Sequence, residues 1–321
     1  KPAPPATAAV EQDEVLRVDT TLVTVPVSVA DAAGRYVAGL RREDFRVFED
    51  GVEQEIAYFA PAEKPFTVAL LLDVSDSLRF RLPDVQDAAV AFVEQLRPAD
   101  QVMVVSFSSR VDILCEPTNE REALRRAIRG THTRGGTRVY DVVDFVVRER
   151  LERIAGGRKA LILFTDGIDT GSSLSTREAT LRRAEESDVL AYAVQYGSEA
   201  DAGGRLRDAT QSAGGQPTMM AGGAPTDPAA RARATAYLRE LSRLTGARHY
   251  RAESLQSLRR AFAEVAAELR QQYSLGYYPK ESARAGKRRR IKVAVNRPKL
   301  TVRARAGYVP AAPDREAPKR P

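Results

Sequence analysis

The chain reads as an α/β protein, a doubly wound and mostly parallel sheet inserted into a small β-sandwich built from both chain ends. Three observations predict this. Across residues 63–271, short apolar runs alternate with stretches of helical periodicity, the pattern of parallel strands joined by right-handed crossovers. At residues 16–62 and 272–310 the pattern changes to period-two alternation broken by turn residues. Neither flank is long enough to bury a core alone, whereas together they supply about six to seven strands for one shared sandwich.

The elements follow in order. Residues 1–15 are rich in Pro, Ala and charge and read as a disordered linker. In residues 22–29 the valines recur at every second position, as in a half-buried strand. Asp31-Ala32-Ala33-Gly34 is a turn, and residues 44–56 read as a hairpin around Asp50-Gly51. Phe66 to Leu72 is unbroken apolar sequence, a strand buried on both faces. The segment after it, through Asp87, Ala91 and Leu96, has helical spacing. A strand at 101–107 and an antiparallel edge strand at 111–115 lead to a helix at 120–128. Further helices are expected at 139–153, 176–187, 229–244 and 254–271, with strands at 161–164, 189–194 and near Tyr250. Residues 198–228, with three Gly-Gly pairs, form an insertion expected to be flexible. Strands at 272–279, 290–295 and 300–305 precede a tail at 311–321.

Composition narrows the function. Of 321 residues 43% are hydrophobic, enough for a sizeable core, and no apolar run approaches the ~18 residues needed to span a bilayer. A single cysteine, Cys115, excludes an internal disulfide framework and reads as a structural thiol. The two histidines, His132 and His249, lie far apart in sequence, which leaves a zinc site or a Ser-His-Asp triad poorly supplied. The net charge of +7 is carried mostly by arginines interspersed with acids along helices. Only Lys287-Arg288-Arg289-Arg290 is a concentrated basic run, read as the exposed start of a hairpin or as a contact for an anionic polymer or membrane. No nucleic-acid motif accompanies it.

The chemistry concentrates in three segments. Asp73-Val74-Ser75-Asp76-Ser77 leaves the C-terminal end of the strand at 66–72, where open α/β sheets bind ligands. A carboxylate and two hydroxyls in five residues suit Mg²⁺ or Mn²⁺ before Zn²⁺. The competing reading is that the serines merely cap the next helix. Arg134-Gly135-Gly136-Thr137 is a glycine-rich turn ending in a hydroxyl, and Thr165-Asp166-Gly167 ends a second buried strand.

Asp-x-Ser-x-Ser, a loop threonine and a strand-end Thr-Asp-Gly, in this order, resemble the von Willebrand factor A family and its metal-ion-dependent adhesion site. The resemblance implies five ligand positions at Asp73, Ser75, Ser77, Thr137 and Asp166, with none missing. It also implies direct ligation by the hydroxyls, ligation through water by one or both carboxylates, and one open position for a partner's Asp or Glu. Asp76 and Asp169 are extra acids nearby, read as supporting the ligands from behind or as solvated rather than as ligands themselves. The flanks, residues 31–56, 272–279 and Arg305-Ala306-Gly307-Tyr308, look like a bacterial VWFA-related family abundant in acidobacteria, which implies export.

The expected function is therefore a Mg²⁺- or Mn²⁺-dependent protein-binding module, adhesion-type and not an enzyme, with Ca²⁺ also possible. The partner is a protein presenting Asp or Glu, not a nucleic acid. The expected location is extracytoplasmic (periplasm, cell surface or secreted), since the Pro/Ala-rich start is like a linker following a cleaved signal or lipid anchor. A scaffold with a purely stabilising ion and a metal-dependent hydrolase are the alternatives. Against the hydrolase, no His, Lys or Cys falls within the motif to act as a general base. An adaptor to an ATPase is neither supported nor excluded.

Overall fold

The computed structural model describes residues 22–61, 64–154, 157–196, 227–280 and 287–310. The linker expected at 1–15, nearly all of the insertion at 198–228 and the tail at 311–321 lie outside the described residues.

The central sheet has six strands. They are β5 (Phe66–Asp73), β6 (Gln101–Phe107), β7 (Val111–Thr118), β8 (Arg158–Thr165), β9 (Leu190–Tyr196) and β10 (His249–Ala252), numbered after four N-terminal strands given below. Their order in the sheet is β10-β9-β8-β5-β6-β7, and every pairing is parallel except that of the edge strand β7. Alternation along β5 sends Val68, Leu70 and Leu72 to one face and Ala69 and Leu71 to the other. Both faces are covered, which is why the strand reads as a continuous apolar run. Helices α1 (Leu82–Glu94), α2 (Arg121–Arg129) and α6 (Leu255–Arg270) pack on the first face. Helices α3 (Val139–Val146), α4 (Arg177–Glu186) and α5 (Pro228–Thr245) pack on the second.

From β5 the chain builds outward to β6 and β7, then returns to β8 and builds the other way. The strand order therefore reverses between β5 and β8, a topological switch point whose crevice opens at the carboxyl ends of the two strands.

The remaining strands form two four-stranded sheets. One has the order β13-β1-β11-β4, from β1 (Val23–Ala30), β4 (Ile56–Ala60), β11 (Tyr273–Tyr277) and β13 (Thr301–Ala304). The other has the order β14-β12-β2-β3, from β2 (Phe45–Glu49), β3 (Val52–Gln54), β12 (Arg289–Val295) and β14 (Gly307–Tyr308). They share one apolar cluster that includes Val25, Val27, Phe45, Val47, Leu275 and Ile291. Each sheet draws on both chain ends, with β1 between β11 and β13 and β12 beside β2. There are eight strands rather than six or seven, because β4 leaves the β2–β3 hairpin to join the opposite sheet and β14 is only two residues long.

Two helices differ from expectation for local reasons. A 3-10 turn, Asp76–Arg81, precedes α1, whose first turn contains Pro83. A proline tolerates the first turn of an α-helix but cannot donate a bond further back, so the helix does not extend towards Ser75. The helix expected at 139–153 is α-helical only to Val146 and widens into a π turn, Val147–Leu151.

The sandwich is tied to the sheet domain by buried polar contacts. Glu268, on α6, is fully buried and accepts from the Ser28 hydroxyl on β1 (2.9 Å) and the Tyr36 hydroxyl (2.6 Å), and pairs with Arg303 on β13. Burial, and then the Glu268 charge, push the Tyr36 hydroxyl up to about 12. Gly246, the left-handed C-cap of α5 with φ of 82°, lies so close to β13 that a Cβ there would sit 2.6 Å from the Arg305 backbone nitrogen.

Candidate metal centre

Three loops meet at the switch point. β5 ends in Asp73, and the next N–H, that of Val74, donates to the Phe107 carbonyl at the end of β6 (3.0 Å). The Arg134 N–H donates to the Val74 carbonyl (2.7 Å), and Ser75 and Arg134 form an isolated parallel bridge. Ser109 N–H reaches the Gly135 carbonyl (3.1 Å). Gly136 has φ of 77° and sits where a Cβ would lie 3.2 Å from that of Ser109, so the turn needs glycine for both conformation and space. The loop that carries Thr137 is thus laced to the loop that carries the serines.

Asp73 forms the floor. It is fully buried, its Oδ1 accepts the Ser75 N–H (2.9 Å) and its Oδ2 accepts the Thr165 hydroxyl (2.5 Å). Ser75 Oγ lies 3.0 Å from Ser77 Oγ, and Ser77 Oγ donates to Asp166 Oδ2 (2.8 Å). Asp166 Oδ1 accepts the Ile168 N–H (2.9 Å). Four of the five sequence-predicted residues therefore join in one oxygen array. Thr137 is buried on the adjoining loop, its carbonyl accepting from the Thr170 and Gly171 N–H groups. Although Ser75 occupies the cap position of the 3-10 turn, its side chain makes no capping bond, so the helix-cap reading of the serines does not hold.

Burial and then the Asp166 charge push the Asp73 carboxyl up to about 7, and burial chiefly raises that of Asp166. Two desolvated carboxylates side by side are an unfavourable arrangement that a cation relieves. The array fits a small hard ion. Octahedral bonds of about 2.0–2.1 Å separate neighbouring ligand atoms by about 2.9 Å. The Ser75–Ser77 and Ser77–Asp166 oxygen separations, 3.0 and 2.8 Å, match that edge. Among the described residues no group of three or more His, Cys, Asp or Glu could hold a metal, so an ion here depends on the hydroxyls.

The supports of this array are what the sequence reading missed. Thr165 was visible only as part of Thr-Asp-Gly, yet its buried hydroxyl orients Asp73 and also accepts the Gly167 N–H (2.9 Å). Asp169 is not aimed at the array. Its Oδ1 accepts the first N–H of α3, from Val139 (2.7 Å), and the Ser172 hydroxyl (2.5 Å). Asp141, on α3, returns the connection by accepting N–H groups of Ser173, Leu174 and Ser175. The two carboxylates clamp the Thr137 loop to the loop after β8. Gln195 donates to the Asp166 carbonyl (3.0 Å) and to the Thr235 hydroxyl (3.0 Å), its oxygen facing His249 Nε2 at 3.1 Å. Burial lowers His249 to about 4, so the imidazole is neutral. Asp76 is exposed beside Gly135. Cys115, half-buried in β7, lies among the partly buried residues packed on the core.

Comparison with known proteins agrees with the fold. Residues 68–168 match the family model of the von Willebrand factor type A domain. A UPF0353 protein of Mycobacterium avium is 26% identical over 117 residues, 32% of this chain and 35% of that protein, so the chain spans about a third of the relative it matches. A von Willebrand factor type A structure from Catenulispora acidiphila superposes with a TM-score of 0.50 at 12% identity, covering 91% of this chain and 74% of that one. Proximal thread matrix protein 1 from the mussel byssus, described with a zinc-occupied MIDAS motif, gives a TM-score of 0.48 at 14% identity over 69% of this chain and 49% of that one.

Proposed function

From a chain that carries a von Willebrand factor type A domain, we infer a protein-binding module that holds Mg²⁺ or Mn²⁺ at Asp73, Ser75, Ser77, Thr137 and Asp166 and engages a partner's Asp or Glu through it. The observation that carries this is the gradient of exposure across the array. Asp73 and Ser75 are buried, Asp166 is half-buried and Ser77 is exposed. An ion bound there would have its inner ligands sealed and one side turned to solvent, where a ligand from outside can reach it. Neutral hydroxyls donate little charge, so the ion would remain a strong acceptor for an incoming carboxylate. Among the described residues the carboxylates are too sparse for the denser cluster that a dinuclear hydrolase uses. Among the described residues no helix is long and apolar enough to cross a membrane. The extracytoplasmic location implied by the flanking segments belongs to the same proposal.

Two measurements test it. Calorimetry should show Mg²⁺ and Mn²⁺ binding to the wild type and none to a folded Asp73→Ala variant. Capture of a partner should require the ion, fail in EDTA and fail when one particular partner carboxylate is changed to its amide. Capture that survives EDTA, with no partner carboxylate mattering, would make the ion a stabiliser of the loops only.

A further inference from the structure

The basic run at 287–290 does not act as one block. Strand geometry sends alternate residues to opposite faces, and the run divides accordingly. Arg289 turns inward, bonding Asp50 (2.9 Å) and facing the buried Glu49 (3.7 Å). Arg288 and Arg290 turn to the other side and line an open cleft of about 490 Å³ at the seam between the sandwich and the sheet domain. Arg182 of α4 and Arg243 of α5 line the same cleft. Two of these four guanidinium groups are already matched: Arg288 pairs with Glu185, and Arg243 makes a bidentate pair with Glu240 at 2.7 and 3.0 Å. The hydrogen bond from Arg243 keeps Glu240 below the usual carboxylate range, so that pair stays ionised. Arg182 and Arg290 are both exposed; Asp50 accepts the Arg290 backbone N–H (2.9 Å) and its charge acts on that guanidinium from outside the cleft lining.

We propose that this cleft binds a phosphate-type tetrahedral dianion through Arg182 and Arg290. The lining sets four arginines against two glutamates, a net charge of two that matches a dianion, and each planar guanidinium can grip two of its oxygens. A carboxylate can bridge two arginines, as Asp112 does between Arg110 and Arg134, but it brings one negative charge where a phosphomonoester brings two. The volume falls in the ~300–1,000 Å³ range of small-molecule sites, large enough for a phosphoryl group with a substituent. The Glu185 and Glu240 pairs fix the neighbouring arginines and hold the walls, leaving Arg182 and Arg290 to carry the ligand. The chemistry is shared by free phosphates and by phosphomonoester lipid headgroups such as that of phosphatidic acid. It is independent of the metal centre, which lies at the carboxyl ends of β5 and β8.

The test uses the whole chain in metal-free buffer at low salt. Inorganic phosphate and pyrophosphate are titrated by calorimetry, and sedimentation is measured with phosphatidylcholine vesicles with and without phosphatidic acid. Binding is expected to fall tenfold or more in Arg182→Gln/Arg290→Gln, to be weakened less by Arg182→Lys, and to weaken as salt rises. Far-UV circular dichroism and undiminished Mg²⁺ binding report that the double variant is folded. Binding of free phosphate identifies a soluble ligand, and binding confined to vesicles containing phosphatidic acid identifies a headgroup. No binding to any probe, or binding unchanged in the double variant, overturns the proposal.

Discussion

Replacing Thr165 with valine probes the centre without touching any of the five ligand positions. The substitution keeps shape and removes one hydroxyl, which donates to Asp73 Oδ2 at 2.5 Å and accepts the Gly167 N–H at 2.9 Å. A bond to a charged, fully buried acceptor contributes about 1.5–3 kcal/mol, and the Gly167 N–H loses its partner as well. In the chain with its ion, the larger consequence is on Asp73, whose second oxygen would no longer be oriented. Groups that orient a metal ligand typically change affinity by about 10–100-fold, equivalent to about 1.4–2.7 kcal/mol. Thr165→Val should therefore lower Mn²⁺ affinity by one to two orders of magnitude in calorimetry while the urea midpoint falls modestly. Thr165→Ser, which keeps the hydroxyl, should restore most of the affinity. A valine variant that is folded and binds Mn²⁺ within twofold of wild type would refute the orienting role. Equal losses in the serine and valine variants would assign the effect to packing of the methyl group instead.

Three other outcomes are expected. With chelator present, burial and Asp166 raise the Asp73 carboxyl to about 7, above the ~3.9 of an unfolded aspartate, so the native state holds more protons between those values. Stability should then fall as pH rises from about 4 to 7, Asp73→Asn should remove that slope, and a slope of opposite sign in urea midpoints would contradict it. Glu268→Gln should cost about 2–3 kcal/mol, at the low end for a broken buried pair because Arg303 retains 26% side-chain exposure, and it should separate the unfolding of the sandwich from that of the sheet domain in calorimetric scans. Gly246→Ala should cost about 2 kcal/mol or more from left-handed strain and overlap with the β13 backbone; an unchanged thermal midpoint would show that the strand moves aside freely.

Much of this was legible because the signals are local. An apolar run such as residues 66–72 announces a strand buried on both faces, and the five oxygen-bearing positions fall at strand ends and in one glycine turn, whatever lies across the crevice. What depended on distant pairing was not legible. No local pattern shows that β4 deserts its hairpin for the opposite sheet, or that two residues at 307–308 complete a strand, because both depend on a neighbour more than 200 residues away or on an open sheet edge. The same holds for the supports of the centre. Thr165 looks like any strand-end hydroxyl until β8 lies beside β5, and Asp169 and Asp141 look like spare acids until each reaches the backbone of the other's segment. Residue type and spacing determine which atoms could serve as ligands, since that is a property of side-chain chemistry. Which acids clamp, which orient and which turn to solvent is decided by tertiary structure, because burial and hydrogen-bond partners exist only once the chain has closed on itself.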